Sequence, residues 1–273
     1  MLFNKAWLYS FGCTVAIAAG TSLIPAKAKA ASFTVDWEKI AQEEQWENGQ
    51  RSGSFALGEG NVDINFFLGN DIKFSRWGGG TTPAINDVIN GSQGSEDRTL
   101  HLQIDAEQVG LGQGDNAMTM VTEFNGYSNP LTDVSFWLYD IDTSGNSWQD
   151  RVILKGYLGD EVVAPIFNFL NSNQNSVEVV NPYTLDGIIA VNNNADNSNV
   201  LVSFGGAIDR FELIFTDGDD IGNRNPNSHG ISIGDISFTE AVATPEPTSL
   251  IAMGLVGLGM GAIRLKKGNK KSK

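Results

Sequence analysis

The chain has 273 residues, is 41% hydrophobic and 10% aromatic, and carries a net charge of -14. Residues 1–30 hold three Lys and no acid, and residues 245–273 hold one Glu and six bases. Of the 32 acids and 18 bases, 31 and 9 therefore fall in 31–244, a net of -22 that repels phosphate backbones and excludes nucleic acid as a partner.

In chain order, Lys5 precedes an apolar run from Ala6 to Ile24, followed by the small-x-small site Ala28-Lys29-Ala30 ahead of Ala31. This pattern predicts a secretory signal peptide over 1–30, cut after Ala30, and hence the Sec translocon and signal peptidase as partners. An uncleaved membrane anchor is the alternative. Cys13, the single cysteine, lies inside this run, so the rest of the chain has neither disulfide nor thiolate chemistry and relies on its core.

The stretch 36–51 spaces Trp37, Ile40 and Ala41 for a short helix. Beyond it, alternating apolar runs predict strands at 62–66, 100–104, 118–122, 134–138, 151–154, 176–180, 200–204, 211–215 and 231–238. Gly, Asn, Asp and Ser clusters separate them, as at 192–199 and 217–230. The expected fold class is all-β: one antiparallel β-sandwich, jelly-roll-like, over 31–243. "RWGGGTT" (76–82) lacks a Lys and a following helix, and reads as a loop.

The densest acidic stretch is "YDIDTSGNSWQD" (139–150). Asp140, Asp142 and Asp150 stand at positions 1, 3 and 11, with Gly145 at 6, which approximates a calcium loop built on oxygen ligands. Ser144 at position 5 and Arg151 at position 12 depart from that pattern. The alternative is a polar turn between two strands, with Asp140 and Asp142 on one face. Asp217, Asp219 and Asp220 form a second candidate calcium cluster, or a hydrated acidic loop. Calcium is thus the one cofactor to consider.

Of the tryptophans, Trp148 lies in the acidic loop and Trp77 beside a glycine run, so these two are the candidate exposed platforms for a glycan. Trp137 alternates with Phe136, and one of that pair must face the core. Catalytic templates fail. The two histidines, His101 and His229, stand beside no obvious Ser or Cys nucleophile, and no H-E-x-x-H, G-x-S-x-G or phosphate-loop pattern occurs. A carboxylate pair for glycoside hydrolysis remains as an alternative.

The chain closes with Pro245-Glu246-Pro247, an uncharged stretch to Ile263, and a basic cluster opened by Arg264, Lys266 and Lys267. At the helical rise that stretch spans about 24 Å, short for a hydrocarbon core, and the basic cluster would hold the C-terminus in the cytoplasm. The tripeptide, short Gly-rich apolar segment and basic tail at 244–273 resemble the PEP-CTERM sorting signal of exported bacterial proteins. The resemblance implies an exosortase as partner, membrane contact through residues 248–263 before processing, and release or attachment at the cell surface, often with exopolysaccharide. In addition, "VSFWLYDIDTSGNSWQDRVIL" and "HGISIGDISF" are similar to the β-domains commonly found ahead of such signals.

The sequence therefore leads us to expect an exported surface or matrix protein, structural, adhesive or glycan-binding, with a single C-terminal transmembrane helix and calcium as its candidate stabiliser. No catalytic residue is assigned. The alternative is a secreted polysaccharide hydrolase.

Overall fold

A computed structural model describes residues 30–78, 80–91, 98–106, 116–170, 176–221 and 225–240. The expected signal peptide with Ala28, the sorting motif Pro245, Glu246 and Pro247, the basic residues Arg264, Lys266 and Lys267, and the span 248–263 lie outside the described residues. Ala31 opens the first strand. Among the described residues, no helix is long and apolar enough to cross a membrane.

The first part of the chain runs β1 (Ala31–Val35), α1 (Trp37–Gln42), β2 (Ser52–Leu57), β3 (Gly60–Leu68), β4 (Ile72–Phe74), β5 (Arg76–Trp77), β6 (Gly80–Thr81), β7 (Ala84–Asn86) and β8 (Thr99–Ala106). It continues through β9 (Met118–Asn125), β10 (Leu131–Tyr139), β11 (Asp150–Leu158), β12 (Glu161–Val163), β13 (Pro165–Phe169), β14 (Val177–Asn181) and β15 (Thr184–Gly187). After a 3-10 turn at Asp196–Ser198 come β16 (Val200–Phe204), β17 (Arg210–Asp217), β18 (His229–Ile233) and β19 (Ile236–Glu240).

Every pairing between these strands is antiparallel. One sheet runs β1-β19-β10-β18-β8-β4, with β16 and β13 added beside β10 and β7 beside β8. The other runs β14-β15-β11-β17-β9-β3-β2, with β12 on β11. Their inner faces share one core. On one side stand Ile64, Met120, Leu154 and Phe211, and on the other Leu102, Phe136, Ile231 and Phe238, all at most 1% exposed. Phe136 stacks on Phe211 with centroids 5.0 Å apart, and Phe124 meets Phe238 at 5.1 Å, so rings interlock across the gap between sheets. The result is the expected antiparallel β-sandwich. Phe136 takes the core position and Trp137 the outer, half-buried one.

The alternation that predicted the strands is visible in β3 and β9, where every second residue is buried. β8 departs from it: Thr99, His101 and Gln103 on its second face are buried too. β7 pairs along the edge of β8, and its side chains and the turn that follows it meet that face. There the Thr99 hydroxyl donates to Ile89 O (2.6 Å), and Asn86 Nδ2 lies 3.2 Å from His101 Nδ1.

Two local expectations change. The loop expected at 76–82 contains the small β5–β6 hairpin, in which Arg76 pairs with Thr81 and Trp77 with Gly80. The strand expected at 231–238 is broken into β18 and β19 at Gly234-Asp235. The break receives the start of α1: Trp37 Nε1 donates to Gly234 O and the Trp37 N–H to Asp235 Oδ1, both at 2.9 Å. The helix itself is a single capped turn and more, with Asp36 Oδ1 accepting from the Lys39 N–H (2.9 Å).

Candidate functional site

Three connections leave one sheet for the other at the same end of the sandwich. They are 140–149 between β10 and β11, 188–199 between β15 and β16, and 218–228 between β17 and β18. The acidic residues singled out by sequence sit on or beside these crossovers. Asp140 starts the first crossover with φ 65, a left-handed backbone that Asp tolerates better than most residues. The strand-like track resumes at Asp142: Asp150 N–H donates to Asp142 O, and Asp142 N–H returns to Asp150 Oδ2, both at 3.0 Å. A tight turn through Ser144–Ser147 then brings Trp148 back over the end of the sheet. A Cβ at Gly187 would run into the Asp142 carbonyl, so glycine is what permits β15 to lie against this hairpin.

Strand register supplies the rest. Asp150 is the partner of Asp217 across β11 and β17. His229, first residue of β18 on the opposite sheet, reaches between them. Its Nδ1 lies 2.5 Å from Asp150 Oδ1. Its Nε2 lies 3.2 Å from Asp217 Oδ1, an ion-pair distance with the N–H not aimed along it. Trp148 lies flat on the imidazole (5.6 Å, 8°) and Phe215 meets it edge-on (5.1 Å, 65°). Burial by itself would lower the pKa of His229, but the hydrogen bond to Asp150 and the two flanking carboxylates raise it to about 10. His229 is therefore a buried cation held by two anions. Burial pushes Asp150 upward and the imidazolium opposes that push.

The remaining acids have separate partners. Arg151 grips Asp186 with two nitrogens (2.7 and 2.6 Å) and reaches Asp219 (2.6 Å), which holds its guanidinium above the ordinary range. Asp220 bonds to Gln149, whose amide also donates to Gly187 O (2.9 Å).

Asp140 and Asp142 are left. Both line a cavity of about 270 Å³ together with Trp77, Trp148, Gln103 and Asn193. Val191 N–H donates to Asp142 Oδ2 (2.8 Å), yet Oδ1 of Asp142 and Oδ1 of Asp140 are buried and meet no hydrogen-bond partner. Burial, then the charges of Asp142 and Asp150, push Asp140 up to about 8; burial and Asp150 push Asp142 up to about 7, against the Val191 N–H and His229.

The structure thus brings Asp140, Asp142, Asp150, Asp217, Trp77 and Trp148 to one end of the sandwich and leaves Asp219 and Asp220 on its rim. As a calcium cage the set does not fit. Asp150 and Asp217 serve His229, Asp219 serves Arg151 and Asp220 serves Gln149. Among the described residues no three His, Cys, Asp or Glu side chains are arranged to hold a metal ion. Calcium needs about six to eight oxygens, and two free carboxylate oxygens are a poor start. Sequence reasoning missed His229 as the organiser of the cluster. Its only local signal was position, directly after the second acidic stretch.

No family model matches the chain, and no curated protein matches it. Among solved structures, a chain from a structural and thermodynamic dissection of specific mannan recognition by a carbohydrate-binding module, TmCBM27, is 12% identical; the match covers 79% of this chain and 100% of that one, with a TM-score of 0.34. At that TM-score the likeness carries no argument about fold or ligand.

Proposed function

We propose that the sandwich is a non-catalytic glycan-binding module working outside the cell. One observation carries this reading: two tryptophans, Trp77 and Trp148, line the same small cavity as the polar side chains of Asp140, Asp142, Gln103 and Asn193. An aromatic wall accepts the apolar face of a sugar ring, and the carboxylates and amides accept or donate to its hydroxyls. Trp77 is 47% exposed, a large aromatic at the surface that no packing demand explains. The cavity lies near the lower end of ligand-site volumes of about 300 Å³ and upward, which suits one or two rings of a longer chain.

Affinity electrophoresis of the full chain against a panel of neutral and charged polysaccharides tests the proposal. Retention by at least one glycan, weakened about tenfold by Trp148→Ala, is the expected outcome. Equal mobility on every polysaccharide would sink it.

A second reading, a polysaccharide hydrolase, draws on the upward-shifted Asp140 and Asp142 beside that wall, because a carboxyl still protonated near neutrality can act as a general acid. The same panel assayed for released reducing ends separates the two. We further propose that the chain is exported by its signal peptide and sorted by its C-terminal signal through an exosortase. Mass spectrometry of the mature surface protein should find a C-terminus upstream of the basic cluster; an intact Lys273 contradicts sorting.

A further inference from the structure

Charge bookkeeping at the crossover end leaves one demand unmet. Three buried acids of this end have a basic partner: Asp150 and Asp217 share the single charge of His229, and Asp186 has Arg151. The Oδ1 atoms of Asp140 and Asp142 have no partner, in residues only 7% and 3% exposed, and both residues face the cavity. A carboxylate oxygen removed from water without a donor is costly, so the site is built for a group that brings donors and positive charge.

Among the described residues no Lys or Arg lines the cavity, and the basic residue that does, His229, is committed to two carboxylates. A sulfated or uronic sugar would meet Asp140 and Asp142 with no free cation among these lining residues. A bare metal ion is poorly served, because among the described residues no third acid or His is placed to complete its shell. An ammonium group needs less. It carries three N–H donors, and two carboxylate oxygens already satisfy two of them. Trp77 and Trp148 in the same cavity supply faces for the sugar ring that bears the amine, and such faces attract a cation as well.

From this juxtaposition we infer that the cavity selects an amino sugar with a free amine, its ammonium seated between Asp140 and Asp142. The inference rests on the glycan-binding reading and names its ligand class.

Isothermal titration of the full chain with three oligosaccharides of equal length tests it: a β-1,4-glucosamine oligomer, its fully N-acetylated form, and a neutral β-1,4-glucan. The glucosamine oligomer should bind about tenfold or more tightly than either of the others. Asp140→Asn and Asp142→Asn, near-isosteric changes, should each lower affinity for the glucosamine oligomer far more than for the neutral glucan and so erase most of that preference. The comparison on the unaltered protein decides the matter even if a variant misfolds. Equal affinity for acetylated and free-amine oligomers overturns the inference and leaves the glycan module standing. Binding of calcium chloride by the unaltered chain, lost in Asp142→Asn and competing with the glucosamine oligomer, would assign the carboxylates to a metal and also overturn it. Absence of binding to any saccharide removes both readings.

Discussion

His101 and His229 lie on adjacent strands of one sheet, β8 and β18, and both are almost wholly buried, yet they hold opposite charge states. His101 faces segment 82–91, where Asn86 is its side-chain neighbour and its Nε2 has no partner. Burial there lowers its pKa to about 4 and keeps it neutral. His229 sits three residues away along the ladder, between Asp150 and Asp217, and two anions outweigh the same desolvation. Burial alone thus does not set the charge of a histidine; the neighbours that the fold delivers decide it.

The strongest way to break this contrast is His229→Ala. It strands two buried carboxylates and removes the ring packed between Trp148 and Phe215, so a loss of about 4 kcal/mol in urea-denaturation stability is expected. Asp150→Asn keeps the shape but takes away the nearer anion; about 3 kcal/mol should be lost, with His229 falling toward the neutral behaviour of His101 in an NMR titration.

The pH dependence sharpens the same point. For His229, the folded pKa of about 10 exceeds the unfolded 6.5, so its contribution is whole below about 6.5 and disappears as pH rises through 10. Asp140 and Asp142, raised from 3.8 to about 8 and about 7, act in the same direction: the folded state binds more protons, and stability declines between about pH 4 and 8. Asp140→Asn should therefore be about 2 kcal/mol more stable than the unaltered chain at pH 8.5 and nearly equal to it at pH 4, by thermal melting. His101 has the opposite sign. Its folded pKa of about 4 lies below the unfolded 6.5, so it costs stability as pH falls from 6.5 toward 4. His101→Leu should change the urea-denaturation stability least, by about 1 kcal/mol or under at pH 7, and should flatten the decline seen at pH 5.

Much of the scaffold was legible. The runs at 62–66, 118–122 and 211–215 alternate cleanly and became the central strands β3, β9 and β17. The short pieces β4 to β7 and β12 to β15 were mostly not legible, because two to five residues carry too little periodicity to stand out from a loop. The site was half legible. Asp140, Asp142 and Asp150 share one short stretch whose density of oxygen side chains was visible, and Trp148 lies among them. Their division of labour was not visible, since an acid looks the same in sequence whether it faces a calcium ion, an arginine or a histidine 79 residues away.

The local pattern of apolar residues, by itself, determined that this chain makes an all-β sandwich with an acidic, tryptophan-bearing surface, because alternation is a property of neighbours in the chain. Only the tertiary structure decided that Asp150, Asp217 and His229 form one buried unit and that Asp140 and Asp142 are left over beside Trp77 and Trp148. Those meetings depend on the register of β11 with β17 and of β18 with β8, and on three crossovers passing the same end. Long-range burial of the shared core sets that register, and no local stretch of sequence encodes it.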